Sequence, residues 1–149
     1  MFNTINDILF HSRNNRAENL SVGHTCGYTL RMPIGPYSLS IALGEGAYCT
    51  PREVLEDPTN YEEVEVGISD DEGLLSLRMI NDIFGDDVAK LCDGYGWTDL
   101  TSLDYDVLAG AEERHGERST TVMPYITWEQ TIMVANAIDR VLPEAKDLV

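Results

Sequence analysis

Residues 28–43 read YTLRMPIGPYSLSIAL, and this stretch decides the fold. Tyr28, Leu30, Met32 and Ile34 alternate with Thr29, Arg31 and Pro33, the period-two pattern of a strand with one face turned to a core. Tyr37, Leu39, Ile41 and Leu43 repeat the pattern after Gly35-Pro36. A tight Gly-Pro connection between two alternating runs predicts an antiparallel hairpin. Pro33 has no N–H to give a ladder, so the first of the two strands is expected at a sheet edge.

Working outward, Thr4 with Asp7 three residues on predicts a capped helix over about 4–14, with Ile5, Ile8 and Leu9 as its apolar stripe. Downstream of the hairpin, Thr50-Pro51-Arg52-Glu53 reads as a helix start, soon halted at Asp57-Pro58. Residues 62–68, EEVEVGI, predict a third strand with Val64, Val66 and Ile68 inward and Glu63 and Glu65 outward. Asp70 to Gly73 turns the chain, and Leu74 to Arg78 is expected to return as a fourth strand, with a helix starting there as the competing reading. A short helix is expected at Asp86 to Cys92 and a longer one, closed by Gly116, at Leu103 to His115. Thr127 with Gln130 caps a last helix over about 128–142, which sets Trp128, Ile132, Ala135, Ile138 and Leu142 on one side and is expected to stop before Pro143. The expected fold class is α+β: a small antiparallel sheet of three to four strands packed by N- and C-terminal helices, in one domain over 1–149.

The 149 residues and 43% hydrophobic content suit one packed domain. No apolar run approaches the ~18–20 residues of a membrane span, and the first residues lack a basic head and apolar body. Cys26, Cys49 and Cys92 are odd in number and far apart, unlike a secreted disulfide framework. A cytoplasmic location follows as the expectation.

The charge narrows the function classes. Twenty-six acids against ten bases give −16, a field that repels phosphate backbones and anionic lipids and favours a basic protein partner. The excess is banded: residues 62–113 hold fifteen acids and two bases, a net of −13, against −2 before them and −1 after. Adaptation for solubility alone would coat every face, whereas a band points to a surface with a purpose. Glu63 and Glu65, about 6–7 Å apart on one strand face, join Asp70, Asp71, Glu72, Asp86, Asp87, Asp104 and Asp106 as the expected partner-binding residues. Trp97, set among glycines in Asp93-Gly94-Tyr95-Gly96-Trp97, is the expected aromatic anchor, with burial in the core as its alternative. Spaced carboxylates of this kind would mimic a nucleic acid.

No catalytic residue, metal site or cofactor is expected. His24 and Cys26 are close, but no second close pair of ligands accompanies them as zinc requires. Cys49 reads as a packed thiol before it reads as a nucleophile, because free cysteine is among the most buried residue types. A small-ligand alternative rests on the 44–53 turn. There Gly46 and Tyr48 precede a helix start whose N–H groups would attract an anion, and Arg52 or Arg114 would clamp it.

Residues 37–73, YSLSIALGEGAYCTPREVLEDPTNYEEVEVGISDDEG, resemble the hairpin core of small bacteriophage accessory proteins: an alternating strand, a turn carrying Gly, Tyr and Cys, and a second strand rich in Glu and Val. In size and charge the chain also resembles small acidic immunity proteins that neutralise a toxin. Both resemblances imply an inhibitor, of the phage anti-defence or immunity type. The expectation is therefore a non-enzymatic binding protein that blocks a basic, nucleic-acid-handling partner, with sequestration of a nucleotide signal as the alternative.

Overall fold

The structure, a computed structural model, describes residues 2–14, 27–95 and 122–147. The chain is α+β, an antiparallel sheet with helices packed against it. Helix α1 (Ile5–His11) begins at the expected capping box, in which Asp7 N–H donates to Thr4 Oγ1 while the Asp7 carboxylate accepts from the backbone of Thr4. It is shorter than expected, because Ser12 turns extended. Strands β1 (Arg13–Asn14), β2 (Gly27–Ile34), β3 (Tyr37–Gly44) and β4 (Glu63–Asp70) lie side by side in that order.

The β2–β3 hairpin forms around Gly35, with Ile34 opposite Tyr37 and Gly27 opposite Gly44. β2 is not the edge strand expected from Pro33, since the two-residue β1 pairs with its Leu30 and Arg31; Pro33 is exposed and lies beyond those two residues, so its missing donor costs the sheet nothing. At the other end of the hairpin a Cβ on Gly27 would stand 2.6 Å from the Leu43 carbonyl oxygen, an approach that only glycine permits.

The far edge differs from the expectation. Two strands pair along it with β4: the two-residue β5 (Gly73–Leu74) near the Asp70 end and β6 (Val122–Thr127) near the Glu63 end. Among the described residues the antiparallel sheet has six strands, two of them only two residues long, where three to four were expected. The expected fourth strand stops after Leu74 because Ser76 caps a helix, its hydroxyl accepting from Met79 N–H. That helix, α2 (Leu77–Phe84), is followed across Gly85 by α3 (Asp86–Gly94).

Helix α4 (Trp128–Asp147) starts at the expected cap, with Thr127 and Gln130 exchanging backbone-to-side-chain bonds. It runs on through Pro143 instead of stopping before it; a proline removes one backbone donor, and here that loss does not end the helix. Trp128, Val134, Ala135, Ile138 and Leu142 are buried among the inward residues of the sheet, from Tyr28 to Ile68, with Ile8, Leu77, Ile80 and Val88. The helix expected over Leu103 to His115 lies outside the described residues. Among the described residues no helix is long and apolar enough to cross a membrane.

Candidate functional site

The 44–53 segment does not become a helix. Thr50 instead forms a bridge with Glu63: Thr50 N–H donates to the Glu63 carbonyl at 3.0 Å, and Glu62 N–H donates to the Thr50 carbonyl at 2.8 Å. With its backbone committed to β4, Thr50 cannot cap a helix, and the run from Pro51 onward is a loop with a cis Thr50–Pro51 bond. The helix N-terminus on which an anion site at Gly46, Tyr48 and Arg52 was expected is therefore not formed, and Arg114 lies outside the described residues.

Two buried tyrosines hold this loop. Tyr28 Oη donates to the Leu55 carbonyl at 2.7 Å. Tyr61 Oη accepts from Leu55 N–H at 2.8 Å and donates to the Glu53 carbonyl at 2.7 Å. Trp128 Nε1 donates to the Tyr61 carbonyl at 3.1 Å, tying the same corner to the start of α4.

On this frame sits a group that sequence reasoning assembled only in part. Between Val64 and Val66 the pairing of β4 with β6 shifts register, so that Pro124 and Tyr125 together face Glu65. This is a β-bulge, a device that re-aims a side chain. Tyr125 takes a φ of +53°, the left-handed region that a bulky aromatic residue enters at a cost of about 1–3 kcal/mol. Its N–H turns away from β4 to the Tyr48 carbonyl at 3.0 Å.

The result sets two exposed rings together. The Tyr48 and Tyr125 centroids are 5.9 Å apart at 42°, with 44% and 41% of the two residues exposed. Arg52 Cζ stands 5.6 Å from the Tyr48 centroid, and its Nη2 donates to the Glu45 carbonyl at 3.3 Å.

Glu63 and Glu65, expected to point freely outward, are half-buried and turned onto the loop. The Thr50 hydroxyl donates to Glu63 Oε1 at 2.7 Å, and Tyr48 N–H donates to Glu65 Oε1 at 3.1 Å. Burial raises the Glu65 carboxyl pKa, partly offset by the Tyr48 N–H and the Arg52 guanidinium. On the same segment Glu45, Glu53, Glu56, Asp57 and Glu62 are exposed, so residues 45–65 carry seven carboxylates against the single guanidinium of Arg52.

The other expected partner-binding residues lie elsewhere. At about 3.4 Å per residue, β4 separates Glu65 and Glu63 from Asp70 by roughly 17–24 Å. Asp70 Oδ1 accepts from Glu72 N–H within the turn, and Asp71 and Glu72 are exposed. Tyr37, beside the Ser38–Ser69 pair, packs on Phe84 at 4.9 Å, which places the first turn of α3 at this same end of the sheet. There Asp86 pairs with Lys90 at 2.8 Å, and Asp87 is exposed. Trp97, Asp104 and Asp106 lie outside the described residues. The expected partner-binding acids among the described residues thus fall at two poles, one at each end of β4, and the tyrosine pair marks the pole that the sequence band only partly covers.

Cys49 is fully buried, its Sγ contacting the Gly44 and Pro51 carbonyls, and burial raises its thiol pKa. Cys92 is likewise buried, with its thiol pushed up to about 12. Neither thiol is placed to form a thiolate near neutral pH. Comparison with known proteins finds no matching family model, no matching curated protein and no matching solved structure.

Proposed function

We propose that this chain is a non-enzymatic binding protein that docks a basic, nucleic-acid-handling partner and blocks its cationic surface. The observation that carries the reading is the corner where two exposed tyrosine rings, Tyr48 and Tyr125, adjoin Glu65 and Arg52, on a segment, residues 45–65, that also carries five exposed carboxylates. Tyrosine is enriched at the energetic centres of protein interfaces. A surrounding field of one sign steers a partner of the opposite sign and raises its association rate. The net charge of −16 argues against a phosphate or an anionic lipid as the direct ligand.

Size-exclusion chromatography with a basic nuclease tests the reading. A complex is expected at 50 mM salt that dissociates at 500 mM, with cleavage of DNA blocked while the complex holds. Complexes indifferent to salt across a panel of such nucleases, or equal binding after Glu45→Lys with Glu62→Lys, would count against it.

A further inference from the structure

We infer that the strained backbone at Tyr125 serves to present its ring, beside that of Tyr48, to an arginine side chain of the basic partner; this rests on the binding reading above. Strain at a non-glycine residue persists only where something over-determines it. The core does not require it here, since Met123 and Ile126 supply the buried side chains of β6 and Tyr125 itself is exposed. Glycine or asparagine would hold the same φ with less strain. What tyrosine adds is a ring face next to a second ring.

Isolated exposed aromatics are ordinary, but these two are brought together by a bulge, by a hydrogen bond from Tyr125 N–H to the Tyr48 carbonyl and by the bond from Tyr48 N–H to Glu65. The occupant follows from charge and shape. Carboxylates at Glu45, Glu62 and Glu65 draw a cation, and Arg52 already lies over the Tyr48 ring. A planar, weakly hydrated guanidinium stacks on such rings better than a compact ammonium.

Fluorescence anisotropy with labelled octa-arginine and octa-lysine peptides at 50 mM salt, together with thermal melts, tests this on the full chain. The wild type is expected to hold octa-arginine several-fold more tightly than octa-lysine. Tyr125→Asn should lose about tenfold for octa-arginine while its melting temperature stays level or rises, and Tyr125→Phe should bind as the wild type does. Unchanged octa-arginine affinity in Tyr125→Asn would overturn the anchor and leave the basic-partner reading standing. A sharp fall in its melting temperature would overturn the anchor too, by showing the ring to be structural. Failure of the wild type to bind either peptide would sink both.

Discussion

Glu65 carries its charge where burial resists it. Its carboxyl pKa is raised by desolvation above the unfolded value, so the folded state holds the proton more tightly than the unfolded chain does. Stability from this group is therefore lost as pH rises between the unfolded and folded values, and the loss persists at neutral pH. Glu65→Gln keeps an oxygen for Tyr48 N–H and removes the charge. The variant should melt higher than the wild type at pH 7, and the gap should close as the pH falls toward about 4. Asp7 has the opposite sign: the N–H groups of Asn3 and Thr4 lower its pKa, so its contribution is present above the unfolded value and is lost in acid. Melting curves of the wild type, Glu65→Gln and Asp7→Asn across pH 3–8 check the pair of signs: the deficit of Asp7→Asn should shrink as the pH falls. The Thr4–Asp7 box was legible because both partners lie within one helical turn. The setting of Glu65 was not, since it depends on a loop seventeen residues away in sequence folding back onto β4.

Elements whose pattern is local read correctly from the chain, and the exceptions have identifiable causes. The hairpin, β4 and the caps of α1 and α4 were all visible in alternation or capping pairs. Strand β6 was missed because its buried residues, Met123 and Ile126, are three apart; the bulge at Pro124-Tyr125 shifts the parity that alternation relies on. A proline within a β-like run was the available signal, since prolines in sheets favour edges and bulges. The Thr50–Pro51 helix start failed because pairing with Glu63 competes for the same backbone. The loop that replaces it depends on Tyr61. Tyr61→Phe leaves Leu55 N–H without its acceptor and should cost about 1–3 kcal/mol in urea unfolding. Amide exchange should quicken over residues 52–57, and unchanged exchange there would show that the loop is held by other contacts.

At the scale of the molecule, the acids of the sequence band that lie among the described residues do not form a single patch in space. Glu63 and Glu65 belong to one end of β4, Asp70, Asp71, Glu72, Asp86 and Asp87 to the other. Charge counting along the chain identified an acidic protein but could not see that the segment carrying Glu45 folds back onto β4, setting Tyr48 N–H against Glu65. Reversal at the two poles should therefore differ: Glu45→Lys with Glu62→Lys should weaken a basic partner more than Asp71→Lys with Asp87→Lys, by a margin that narrows at high salt. Equal losses in binding titrations would mean that net charge alone governs the encounter. The most direct measurement is a chemical-shift map of the isotope-labelled chain titrated with octa-arginine. The shifts should gather on Tyr48, Arg52, Glu65 and Tyr125. Shifts confined to residues 70–72 and 86–87, or spread evenly over every exposed carboxylate, would contradict the account.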